Sequence, residues 1–243
     1  FRRVLFRSFQ TLAGWGMQEV PHKRYLNDFF TGKIAESVSR GELYNEDPIT
    51  GDARFCATTA SMCGIESAGF EQNEEKKKRA VRFDLMLHAY MMVQSGIPML
   101  YSGDEIGQVN DYTYKNDPEK RVDSRYIHRG KFDWKLADGR KRKGTVQKEL
   151  FDGIGKLRSI RSKEKVFDAS ANVWTLDTWE NGILGVVREL EGEQMTALFN
   201  FAEEDRTAWI EEEGEYMDLY TGKKVSLQAI KMEGHSFVLA KKC

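Results

Sequence analysis

The stretch from Glu74 to Tyr101 limits the fold more than any other part of the chain. Its first turns are charged, and Val81, Leu85, His88 and Met92 then form one helical stripe. Most of its second half is apolar all round, so a helix there must be covered from several sides. Gly96-Ile97-Pro98-Met99-Leu100-Tyr101 follows at once and is closed by Ser102-Gly103. A short continuous apolar run between turn residues predicts a buried strand of the parallel type. Helix, tight turn and buried strand are the punctuation of an α/β fold.

The surroundings fit that reading up to about Ser162. Tyr25, Leu26, Phe29 and Phe30 share one face of a short helix stopped by Gly32. Asn45 to Arg54 holds a proline, a glycine and three acids and reads as an ordered loop. The small residues of Ala57 to Ala68 predict a tightly packed helix. Asp104 to Arg129 is a long polar loop with three tyrosines, the kind that carries function. Leu150, Phe151, Ile154, Leu157 and Ile160 mark another amphipathic helix. Beyond Ser162 the texture changes. Short β-like runs appear at Val173–Leu176, Ile183–Val187, Met195–Phe199, Thr207–Ile210, Val225–Leu227 and Ser236–Leu239. Turns rich in Gly, Glu and Asp separate them, the pattern of a small all-β sandwich.

The layout is therefore α/β followed by all-β. Only one convincing buried strand follows its helix in the first part, whereas a complete (β/α)8 barrel needs about 250 residues. If that part belongs to such a barrel, it is the C-terminal piece. The basic opening Phe1-Arg2-Arg3-Val4-Leu5-Phe6-Arg7-Ser8 lacks the apolar core and cleavage site of a signal peptide. Residues 1–14 read as a non-native or truncated lead, residues 15–162 as the barrel part and residues 163–243 as the β-sandwich.

Charge and composition remove several function classes. Lys plus Arg is 37 and Asp plus Glu is 38, a balance that argues against a nucleic-acid binder. The most apolar stretch, Leu85 to Met99, is broken by His88, Gln94, Ser95 and Gly96, which argues against a membrane partner. Cys56, Cys63 and Cys243 are odd in number and form no CxxC pair, so neither a disulfide framework nor a zinc site is expected. Cys63, among small residues, reads as packed rather than nucleophilic. The four histidines have no metal spacing, and there is no phosphate loop, GxSxG or GxGxxG, so no cofactor is expected.

Asp104-Glu105 sits just after the expected strand, where α/β folds place their chemistry. Neighbouring residues on extended chain point to opposite sides, so the pair reads as an anchor for loop backbone and nearby cations rather than as an acid–base couple. Asp123-Ser124-Arg125 lies in the long loop, and a guanidinium fork there suits a carboxylate or paired hydroxyls. Asp52 and Arg54 form a similar pair. Trp174, Trp179 and Trp209 could bind a glucan, but read more simply as strand residues facing a core. Glu211-Glu212-Glu213 reads as a solvated turn.

Three blocks carry a family resemblance. Gly51-Asp52-Ala53-Arg54-Phe55-Cys56-Ala57-Thr58-Thr59-Ala60-Ser61, Gly96 to Gly107, and Asp123-Ser124-Arg125-Tyr126-Ile127-His128-Arg129 resemble, in order, segments of the amylosucrases in the α-amylase superfamily, glycoside hydrolase family 13. The resemblance runs from about Trp15 to the C-terminus. It implies a (β/α)8 barrel of which the Gly96 block is the eighth strand and following loop, with a C-terminal sandwich packed on it. It implies retaining glucosyl transfer from sucrose to an α-glucan or water through a covalent glucosyl-enzyme. The family's nucleophilic Asp and acid/base Glu belong upstream of Phe1. Its sugar-gripping His-Asp pair would fall just before Gly14-Trp15, where this chain reads Phe9-Gln10-Thr11-Leu12-Ala13. The resemblance thus assigns no catalytic residue here and implies an inactive fragment. Arg125 matches the arginine that closes the donor-glucose pocket by pairing with an upstream Asp, a partner this chain would lack. Arg54 matches an arginine on the acceptor side, and Asp52 and Asn45 share its loop. Two other readings stand beside this one: an α-glucan hydrolase or sucrose isomerase of the same superfamily, and a non-catalytic glucan-binding module.

Overall fold

The computed structural model describes residues 22–243. The expected lead of residues 1–14 and the start of the resemblance at Trp15 lie outside the described residues. Helix α1 (His22–Phe30) carries the Tyr25 and Phe29 rings stacked at 6.2 Å and ends at Gly32, whose φ of 73° suits a residue without a Cβ. A hairpin follows, β1 (Glu42–Tyr44) and β2 (Arg54–Cys56), antiparallel with Tyr44 opposite Arg54. Gly41 admits the Phe55 ring against its backbone, since a Cβ there would lie 2.0 Å from the ring.

The single helix expected over Ala57–Ala68 is two, α2 (Thr59–Met62) and α3 (Ile65–Phe70). They break at Gly64, which turns with φ 96° while packed against Val38. Helix α4 (Glu74–Val93) starts where Asn73 accepts the Lys76 amide at 3.0 Å, with Glu74 and Glu75 at the positive end of the helix dipole. After a short helix α5 (Trp134–Ala137), the expected amphipathic helix forms as α6 (Val146–Lys163), capped by Thr145. Among the described residues no helix is long and apolar enough to cross a membrane.

The β-rich part holds β3 (Asn172–Leu176), β4 (Ile183–Leu190), β5 (Glu193–Asn200), β6 (Arg206–Ala208), β7 (Tyr216–Asp218), β8 (Lys223–Val225), β9 (Ile230–Met232) and β10 (Phe237–Lys242). Six form one sheet in the order β3-β4-β5-β10-β7-β8, every neighbouring pair antiparallel, and β6 pairs with β9 in a second small sheet. The strands β7 and β9 are three residues each and carry no apolar run that would announce them.

Alternation along β5 and β10 sorts the core into two layers. Met195, Ala197, Phe199 and Leu239 face Met86, Ala89, Met92 and Val93 of α4 and Leu157 and Ile160 of α6. On the opposite face Leu198 and Ala240 meet Ala208, Ile210, Leu227, Ile230 and Met232 around the small sheet. The expected sandwich is thus a large sheet covered by helices on one face and by a two-stranded sheet on the other. Arg188 of β4, fully buried, joins these parts. Its guanidinium donates to the carbonyls of Val93 (2.9 Å), Val166 (2.6 Å) and Asp168 (3.1 Å). Arg161 of α6 donates to the carbonyls of Met92, Gln94 (3.2 Å) and Gly96 (2.6 Å). Two cations therefore close the C-terminal end of α4, where unpaired carbonyls and the negative end of the helix dipole converge.

One expectation fails. Residues 97–101 form no strand, and Ile97 is 87% and Met99 77% exposed. A parallel strand needs neighbours to take its backbone groups and cover its faces. No described strand lies beside this segment.

Candidate functional site

The three blocks singled out in the sequence meet at one rim of the helical part. Asn110, just past the second block, reaches the first: the Thr58 amide donates to its Oδ1 at 2.9 Å, and its own amide donates to Ser61 Oγ at 2.8 Å. The second and third blocks touch through the Tyr101 and His128 rings, edge to face at 5.6 Å, and the Asp111 amide donates to Ile127 O at 2.8 Å nearby. The third block is tied to the hairpin by Ser124 Oγ, which donates to Leu43 O at 2.8 Å. Cys56, Tyr114 and Ile127 form a buried plug beneath.

At the edge of this rim Arg125 lies over the Tyr44 ring, 4.4 Å from its centroid, and Arg54 stands opposite Tyr44 in the hairpin register. Arg125 pairs within its own block: its Nε donates to Asp123 Oδ1 at 2.8 Å and its Nη2 to Asp123 Oδ2 at 2.7 Å. A planar guanidinium matches both carboxylate oxygens at once, and the short loop holds the two residues in reach. The Arg125 guanidinium beside Asp123 holds that carboxyl at about 2, and Asp123 in turn raises the arginine. Asn45 follows Tyr44 with φ 55°, the left-handed turn that lets the hairpin loop leave β1. Asp52 closes that loop, its carbonyl accepting from the Asp47 amide at 2.8 Å, and lies 3.5 Å from Lys23 Nζ. Arg125, Arg54 and Asn45 thus border Tyr44, whereas Asp52 faces α1.

Asp104 and Glu105 anchor backbone. Asp104 Oδ2 accepts from the Tyr101 amide and Glu105 Oε2 from the Gly103 amide, each at 3.0 Å. Sequence reasoning missed what lies behind Asp104. His88 of α4 is buried, with Nε2 3.7 Å from Asp104 Oδ2 and Nδ1 2.8 Å from Asp84 Oδ1. Its Nδ1 also meets the Asp84 carbonyl at 2.9 Å, so the Asp84 carboxylate is held mainly by charge. Burial alone would push the imidazole down; the Asp104 and Asp84 carboxylates on its two sides outweigh it and lift it to about 10. Burial raises Asp84, which His88 partly offsets. The i, i+4 spacing of Asp84 and His88 was the available signal. Cys63 lies buried beside this cluster, its thiol pushed well up by burial and by the two acids, as suits a packing residue.

The tryptophans also depart from expectation. Trp174, Trp179 and Trp209 face solvent rather than the core.

No family model matches the chain. Among solved structures it is similar to an α-amylase from Anoxybacillus, at 19% identity and a TM-score of 0.51, over 77% of this chain and 36% of that one. It is similar to AmyP in complex with maltotriose, at 14% identity and a TM-score of 0.54, over 68% of this chain and 35% of that one. It is similar to the trehalulose synthase MutB from Pseudomonas mesoacidophila, at 15% identity and a TM-score of 0.50, over 66% and 38%. The likeness is one of fold, and the chain spans just over a third of the length of these three proteins.

Proposed function

We propose that the chain is the C-terminal part of a retaining α-glucosyl transferase or hydrolase that acts on sucrose and α-glucans, as the amylosucrases do. The observation that carries this reading is the meeting of the three resembling blocks at one rim, with Arg125 laid over Tyr44. A guanidinium held by a carboxylate beside an aromatic ring offers a pyranose both hydroxyl contacts and an apolar face. In this reading Arg125, Arg54 and Asn45 contact the sugar beside Tyr44, and Asp52 shapes the loop that carries them. The nucleophile and acid/base carboxylates come from barrel strands outside these 243 residues, so the chain alone is inactive.

The test is release of glucose and fructose from sucrose. The 243-residue chain should release neither, whereas the protein restored with its upstream barrel strands should release both. In that restored enzyme, Arg125→Ala should lower turnover roughly 100-fold while the protein still folds, because misplacing the sugar costs about that much. Arg125→Lys should recover only part of it, since a point charge lacks the fork. Wild-type turnover in Arg125→Ala would make Arg125 an ordinary loop residue. A second reading, an α-glucan hydrolase or sucrose isomerase, is favoured by the fold likeness to an α-amylase and a trehalulose synthase. Comparing maltooligosaccharide with sucrose as substrate separates the two.

A further inference from the structure

Two exposed tryptophans sit on the β-rich part and border one cleft. Trp179 is 69% and Trp209 57% exposed, and both line a cleft of about 450 Å³ with Ile210, Glu211 and Gln228. That volume is within the roughly 300–1,000 Å³ of small-molecule sites. Their outward placement is built in. Ala208 and Ile210, either side of Trp209, are buried in the core, so alternation turns the indole between them to solvent. Trp179 has φ 54°, a left-handed backbone that bulky residues rarely adopt, with its amide held by Asp177 Oδ1 at 2.9 Å. The Trp209 amide donates to Thr178 O at 2.9 Å, which ties the backbone of the two tryptophan segments together. Buried Thr178 is itself pinned, its hydroxyl donating to Ile183 O at 2.8 Å. A second cleft, of about 490 Å³, also borders Trp179.

The chemistry of the lining narrows the ligand. It offers flat apolar surfaces, a carboxylate and an amide, and it includes no lysine or arginine. An anionic ligand would meet Glu211 with nothing to neutralise it. A neutral pyranose fits: its C–H face lies on an indole, and its hydroxyls donate to Glu211 and Gln228. Two large apolar side chains held in water side by side, one of them on the left-handed backbone of Trp179, mark a surface kept for binding. We propose that Trp179 and Trp209 form a glucan-binding cleft on the β-rich part that holds a neutral oligosaccharide by stacking. That this oligosaccharide is an α-glucan rests on the function proposed above.

The experiment measures binding of maltoheptaose and cellohexaose to the 243-residue chain by affinity electrophoresis and by protection of tryptophan fluorescence from acrylamide quenching. Maltoheptaose should bind the wild type and protect its fluorescence. Trp179→Ala and Trp209→Ala should each weaken binding about tenfold, the double variant should abolish it, and Trp174→Ala should leave it unchanged. Glu211→Gln, which leaves the core untouched, should weaken it a few-fold and guards against misfolded tryptophan variants. Unchanged maltoheptaose binding in Trp209→Ala and Glu211→Gln would overturn the cleft while leaving the α-glucan function standing. Cellohexaose binding without maltoheptaose binding would keep the cleft and overturn the α-glucan reading. Absence of any sugar binding would overturn the cleft, with tetramethylammonium binding pointing to a cation site and tryptophan-dependent self-association to a contact between copies.

Discussion

The segment Ile97–Tyr101 and the strand β4 begin alike, as short apolar runs after a glycine, and end differently. In β4, Ile183, Val186 and Val187 are buried, with β3 on one side and β5 on the other. In 97–101, Ile97, Met99, Leu100 and Tyr101 are exposed. The same pattern that declares a wish for burial is satisfied only where the chain supplies both neighbours. Antiparallel strands find theirs across a tight turn, whereas a parallel strand needs a partner brought from a distance. The sheet around β4 is its own context, whereas residues 97–101 need one provided.

The largest effect that could break this contrast is a truncation inside the sheet. Phe199→Ala, in the layer shared by β5, α4 and α6, should cost about 3–5 kcal/mol in denaturant unfolding. Next comes Arg188→Met, which leaves the buried Val93 and Val166 carbonyls and the part-buried Asp168 carbonyl without their donor and should cost about 3 kcal/mol. Retention of full stability would mean that these carbonyls find water and that the sheet and α4 are more loosely joined than described.

The buried cluster behind residues 101–104 should give a smaller, pH-dependent effect. His88 titrates at about 10 here against an ordinary 6.5, so its stabilising contribution is complete below 6.5 and is lost as the pH rises through 10. Unfolding free energy should fall steadily as the pH rises from 7 to 10, and His88→Gln should flatten that slope. A slope that survives the substitution would assign the alkaline loss to another group. The smallest effect is expected at the exposed segment itself. Ile97→Ala should change stability by less than about 0.5 kcal/mol, as at an ordinary surface position. Ile97→Lys with Met99→Lys should raise the soluble yield by removing an exposed apolar patch. A cost at Ile97 near that at Phe199 would show the segment buried in solution.

Legibility followed the same divide. Helices α1, α4 and α6 could be read from periodicity because local spacing decides which face is buried. Six of the β-like runs overlapped strands, since hairpin partners lie close in sequence. The strands β7 and β9 escaped because three residues carry too little pattern. Trp174, Trp179 and Trp209 face out against expectation because apolar character alone cannot say which side of an extended or turning chain is covered; for Trp209, buried Ala208 and Ile210 settle it only once their own burial is known. At the rim, Arg125 and Arg54 were visible through their motif. Asp123 sits two residues from Arg125 and could be seen with it, whereas the platform of Tyr44 depends on a hairpin fold that no single segment announces.

The paired arginines at the end of α4 have a consequence for how the chain tolerates being cut. Helix ends ordinarily fray, but here Arg161 and Arg188 grip the final carbonyls from α6 and β4. A protease nick within 97–101 would therefore sever the polymer without parting its pieces. Helix α4 would stay clasped against the sheet, and the nicked protein would migrate as one particle until denaturant released the two halves.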